Sequence, residues 1–111
     1  MNITERVAQI KQGKTSATAQ VQAALQRARD AKEYHALLSL TEERALQRAR
    51  EIDEVLARGE DAGVLAGVPF VVKDNYLAYG APSTAASKML ENFDTPLQAT
   101  VVDKLEAAGA I

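Results

Sequence analysis

Val64-Leu65-Ala66-Gly67-Val68-Pro69-Phe70-Val71-Val72, followed at once by Lys73-Asp74-Asn75, is the stretch on which the fold of this chain turns. The run up to Val72 carries no charge and is rich in Val, so it reads as a strand, and the lack of polar alternation implies cover on both faces. The polar turn Glu60 to Gly63 precedes it. Pro69 donates no hydrogen bond to a ladder, which restricts it to a strand start or a sheet edge. Upstream, Tyr34-His35-Ala36-Leu37-Leu38-Ser39-Leu40 is short and apolar and reads as a second strand. Strand, helix, strand in that order predicts a right-handed parallel pairing of the two.

Helices fill the remaining sequence. Ile3, Val7 and Ile10 share one face of a first short helix ending near Gly13, with Thr4 and Glu5 at its start. Thr15 and Ser16 are the candidate caps of a second, in which Val21, Ala24, Leu25 and Ala28 form the stripe and which runs to about Ala31. Thr41 is the expected cap of a third, where Glu42 and Glu43 meet the positive end of the dipole and Ala45, Ala49, Ile52 and Leu56 face inward up to Gly59. After the long polar segment from Lys73 to Thr100, a last helix is expected, capped by Thr100 or flanked by Gln98 and stopped by Gly109.

The fold class is therefore α/β and helix-rich, within one domain. Residues 1–60 make a helical region with a short strand, and residues 61–111 begin the strand-bearing core. Ala supplies 21 of the hydrophobic residues and Trp is absent, so large apolar side chains are few and the core is expected to be thin. Acids and bases are interspersed around a net charge of −2, which leaves no basic patch for nucleic acid or an anionic membrane. Arg27, Arg29, Arg44, Arg48 and Arg50 read as solvated helix faces. The absence of Cys excludes a disulfide framework, a thiolate zinc site and a cysteine nucleophile. No basic-then-apolar leader and no run of about 20 apolar residues occurs, and a soluble, cytoplasmic protein is expected.

Lys73 is the residue to which chemistry attaches. It stands where the apolar run gives way to a polar loop, the place where open α/β sheets present side chains to a ligand crevice. A lysine amine in apolar surroundings is disfavoured as the cation, and in its neutral form it accepts a proton. The plainer reading is a snorkelling lysine neutralised by Asp74. His35, the single histidine, has no second ligand near it in sequence and reads as structural. Ser83, Thr84 and Ser87 are expected to serve turns, with lining of a cleft as the second reading and none as nucleophile.

Beyond Gly67 to Asn75, three further stretches complete a pattern: Ser83-Thr84-Ala85-Ala86-Ser87-Lys88-Met89-Leu90-Glu91-Asn92-Phe93, Ala99-Thr100-Val101-Val102 and Ala107-Ala108-Gly109-Ala110. Together they resemble the amidase-signature enzymes, and Ala85 to Phe93 is similar to the glutaminase subunits of tRNA-dependent amidotransferases within that family. The resemblance implies the N-terminal portion of an α/β/α fold, a mixed sheet covered by helices, left incomplete here. It implies a serine nucleophile relayed through a second serine, on a cis peptide bond, to a lysine base that Lys73 matches. Neither serine has a counterpart among these residues.

The resemblance also implies that glutamine is hydrolysed and its ammonia passed to a partner in the complex, which amidates tRNA-bound glutamate. That partner would use ATP and Mg2+, while this chain needs no cofactor or metal. By itself the chain is expected to be inactive, and to self-associate or stay loosely packed. A non-enzymatic helical interaction domain, or a fragment of another amide hydrolase of the family, is the alternative.

Overall fold

A computed structural model describes all residues, 1–111. Four α-helices make up its regular structure: α1 (Ile3–Lys11), α2 (Ala17–Asp30), α3 (Glu42–Ala57) and α4 (Thr100–Ala107). Short 3-10 turns occupy Lys32–Tyr34 and Lys88–Leu90.

The first two helices start where polar side chains satisfy their free amides. Asn2 and Glu5 form a reciprocal capping box on α1. Ser16 accepts from the Ala19 amide at 3.0 Å, and Asp53 reaches across from α3 to accept from the Ala17 and Thr18 amides at 2.7 and 3.0 Å. The start of α2 is thus fastened to α3. Thr41 does occupy the cap position of α3, but its hydroxyl makes no capping bond. At α4 the cap is Ala99, not Thr100, and Gln98 lies just outside.

The core lies where α2 meets α3. Ala17, Val21 and Leu25 pack on Ala49, Ile52 and Ala66, with Ala45, Leu46 and Leu56 at the margin. Burying Val, Leu and Ile side chains contributes about 1.5–3 kcal/mol each. Only 15 of 111 residues are buried, and most of the apolar ones among them are Ala or Val, so the core is as thin as the composition implies. The helical stripes of α2 and α3 stand as the spacing predicts.

The two strands do not form. From Val64 to Gly67 the chain turns, because Gly63 and Gly67 take left-handed φ values of 100° and 78° and the Val68 amide folds back to the Leu65 carbonyl. The segment from Leu65 to Phe70 then runs parallel to residues 108–111, not to Tyr34–Leu40. Leu65 and Gly67 donate to the Ala108 and Gly109 carbonyls, Ile111 donates to Val68, and Phe70 donates to Ile111, all within 3.0 Å. The approach is close enough that a Cβ on Gly109 would stand 2.2 Å from the Ala62 carbonyl oxygen.

Past Phe70, the Val71 to Lys73 amides donate to no group of the chain. Tyr34–Leu40 fails as a strand for the same reason, since none of the amides from Ala36 to Thr41 donates within the chain and Leu38 is 74% exposed. His35 closes the preceding 3-10 turn in a left-handed conformation, at φ 50°, and is exposed. A strand is completed only by a neighbour, and here the two segments face each other across open space. The helix-rich part of the expected architecture is present, whereas a mixed sheet is not formed among these residues.

Candidate active site

The space between the two extended segments is a groove of about 790 Å³. Ala36 to Thr41 form one wall and Pro69 to Asp74 the other. Side chains of α2 and α3, the loop from Tyr76 to Ser83 and one face of α4 close it. Lys73 stands on the second wall. It is exposed, and its ammonium pairs with no carboxylate within 4.0 Å. These residues therefore do not supply the apolar cover that a neutral amine requires.

The reading in which Asp74 neutralises Lys73 is corrected by the geometry. The Asp74 carboxylate is taken by Thr84, whose amide donates to Oδ1 at 2.8 Å and whose hydroxyl donates to Oδ2. The Ala85 amide adds a bond of 3.0 Å to the Asp74 carbonyl. The hydroxyl and then the amide of Thr84 hold the Asp74 carboxyl below the usual carboxylate range. The loop that makes this contact carries Ala85 and Ala86 at φ 48° and 59°. Left-handed backbone at a residue with a Cβ costs on the order of 1–3 kcal/mol, so the surrounding bonds must hold it in place. The Ala86 amide to the Thr84 hydroxyl at 3.2 Å and the Ser87 amide to the Thr84 carbonyl at 2.8 Å do so.

Ser83 is buried and its hydroxyl accepts from the Ala78 amide at 3.3 Å, so it braces the loop as a turn residue while also touching the groove. Thr84 faces Asp74, and Ser87 makes no side-chain hydrogen bond as the 3-10 turn begins. Nowhere do three His, Cys, Asp or Glu side chains converge to hold a metal ion.

Arg44 and Arg48 are only partly solvated, with 32% and 23% of their side-chain surface exposed. They stand one turn apart on α3 and reach into the groove floor, where Arg44 grips Glu106 with both terminal nitrogens, at 2.5 and 3.1 Å. Arg48 donates to the Glu106 and Ala110 carbonyls at 3.1 and 3.0 Å, and so covers the C-terminal end of α4. Gln98 donates to Asp103 and Glu106, both at 2.9 Å, while its oxygen accepts from the Tyr79 amide at 3.0 Å. Burial pushes the Glu106 carboxyl up, but the bonds from Arg44 and Gln98 and the charges of Arg44 and Arg48 outweigh it and leave it below its ordinary range. Arg44 is raised in turn, chiefly by its bond to Glu106. Arg29 and Arg50 stay at the surface, where they bond Glu42 and Gln47. Sequence reasoning missed the Arg44–Arg48–Glu106–Gln98 group because i, i+4 arginines look the same on a solvated face.

Comparison with known proteins matches residues 19–111 to the amidase family model. A glutamyl-tRNA(Gln) amidotransferase subunit of Thermosynechococcus vestitus is 52% identical over 77 residues, covering 69% of this chain and 16% of that protein. Its mitochondrial counterpart in Ornithorhynchus anatinus is 40% identical over 111 residues, 100% of this chain and 21% of its own length. Among solved structures, a vestigial protein complex bearing on the origins of an s-triazine catabolic enzyme superposes with a TM-score of 0.94 at 34% identity, over 100% of this chain and 25% of that one. The native peptide amidase of Stenotrophomonas maltophilia superposes at 0.84 with 28% identity, over 100% and 23%. The chain thus spans between a sixth and a quarter of the length of these relatives. No helix is long and apolar enough to cross a membrane.

Proposed function

The chain belongs to the amidase family, and from that premise we propose that it is the part of a glutamine-hydrolysing amidotransferase that carries the catalytic base, Lys73. The observation that carries this reading is the position of Lys73, at the end of the Gly67 to Val72 segment and on the wall of the groove. The identity to glutamyl-tRNA(Gln) amidotransferase subunits supports glutamine as the substrate.

In this proposal a serine outside these residues attacks the glutamine side-chain amide, and its proton passes through a second serine to the neutral amine of Lys73. The lysine then returns a proton to the leaving nitrogen, which departs as ammonia, and water hydrolyses the acyl-serine. In this proposal residues outside this chain cover Lys73, because a lysine accepts a proton only as the neutral amine, the form that apolar surroundings favour. Glutamine would enter on the groove side of Lys73, and ammonia would pass to a partner subunit. ATP and Mg2+ belong to that partner's step in this proposal, and no residue of this chain is assigned to them.

Lys73→Ala in the full-length protein should lower kcat for glutamine-dependent ammonia release at least about a hundredfold with the fold kept. Lys73→Arg should fail equally, since a guanidinium stays charged. Near-normal kcat in the Arg variant overturns the base assignment. Likeness to the peptide amidase along the whole chain favours, as second reading, hydrolysis of an amide other than glutamine. Hydrolysis of peptide amides but not of glutamine by the full-length protein would decide for it.

A further inference from the structure

We propose that Asp74 and Thr84 are positioning residues for Lys73: the clamp between them sets where the lysine amine points. The inference rests on Lys73 as the base and adds to it a second pair of residues. On the N-terminal side, the Val71, Val72 and Lys73 amides donate to nothing, so the backbone leading into Lys73 is loosely held. On the C-terminal side the Asp74 and Asn75 amides donate to nothing either, but three acceptors next to Lys73 are tied. The Tyr76 amide donates to the Lys73 carbonyl at 3.0 Å, the Thr84 amide and hydroxyl hold the Asp74 carboxylate, and the Ala85 amide holds the Asp74 carbonyl. The direction of the Cα–Cβ bond of Lys73 is therefore set from one side, by a loop closed ten residues further along.

Two features separate this clamp from an ordinary turn. Asp74 leaves its neighbouring lysine without a partner and spends both carboxylate oxygens on Thr84. The two residues after Thr84, Ala85 and Ala86, are also left-handed, and their amides bond back to the Asp74 carbonyl and the Thr84 hydroxyl. A lysine whose amine must meet a hydroxyl proton gains from such a fixed base, because a small displacement of a reacting group lowers the rate steeply.

The test uses the full-length protein with its partner subunits and follows glutamine-dependent ammonia release. Thr84→Val keeps the shape and removes the hydroxyl. It should lower kcat about tenfold to a hundredfold while KM stays within about threefold. Thr84→Ser restores the donor and should recover most of kcat. Should Thr84→Val fail to fold by circular dichroism, Asp74→Asn takes its place with the same expected split between kcat and KM. Wild-type kcat in the folded variant, with Lys73→Ala inactive, overturns the positioning role alone. Equal loss in Thr84→Ser and Thr84→Val overturns it too, because packing rather than the hydroxyl would then be the cause. If Lys73→Ala is itself active, the assignment of the base fails, whatever Thr84 does.

Discussion

In α2 and α3 the backbone hydrogen bonds close within each helix and the apolar stripes meet in one core, whereas from Ala36 to Thr41 and from Val71 to Lys73 the amides donate to nothing. Both regions offer apolar side chains, as a stripe along each helix and as a short run in each extended segment. They differ in the distance to their partners: a helix finds its acceptors four residues away, and a strand finds them only on another segment. Structure that completes itself carries the stability of these residues, and structure left open carries the candidate chemistry.

The contrast predicts opposite responses to the same truncation. In the 111-residue chain, Ile52→Ala should cost about 2–4 kcal/mol, because it empties a buried site between the helices. Val71→Ala, at a residue 73% exposed, should change stability by no more than about 0.5 kcal/mol. Urea unfolding of both variants measures the difference, and equal losses would erase the distinction between the regions.

A smaller effect is expected at the joint between α3 and α4. Glu106→Gln removes the charge that Arg44 and Arg48 hold and should cost about 1–3 kcal/mol at neutral pH. Since the Glu106 carboxyl is held below its ordinary range, its stabilisation is complete above the unfolded-state value and is lost as pH falls through the lower, folded one. The gap between wild type and variant should therefore close in acid. A gap that widens as pH falls would show that the network does not hold Glu106 as the anion.

A loss smaller than that at Glu106 is expected at the start of α2. Ser16→Ala should cost about 0.5–1 kcal/mol, at the low end for a cap, because Asp53 still accepts from the Ala17 and Thr18 amides. Thermal melting of Ser16→Ala beside Asp53→Ala resolves the two contributions. A larger loss for Ser16→Ala would make the local cap, and not the tie from α3, the fastening of this helix.

Much of this was legible along the chain. The helices stand within a residue or two of where the stripes, Ser16 and the glycines put them, and Lys73 stands at the end of its apolar segment. What was not legible involves residues far apart. Asp53 capping α2, Asp74 gripping Thr84 and Arg44 gripping Glu106 have separations of 36, 10 and 62 residues, and no local pattern marks them. Tyr34–Leu40 and Val64–Val72 have strand composition, but composition does not supply a neighbour.

The sequence by itself determined the four helices, their inward faces, the thin core and the motifs shared with the amidase family, since each follows from residues a few positions apart or from their identities. Only the tertiary structure decided that Leu65 to Phe70 runs beside residues 108–111, that a groove separates it from Ala36 to Thr41, and that Asp74 turns to Thr84 instead of Lys73. The reason is physical. Helix formation is settled by hydrogen bonds four residues apart, while pairing, grooves and buried ion pairs depend on which distant surfaces meet when the chain closes.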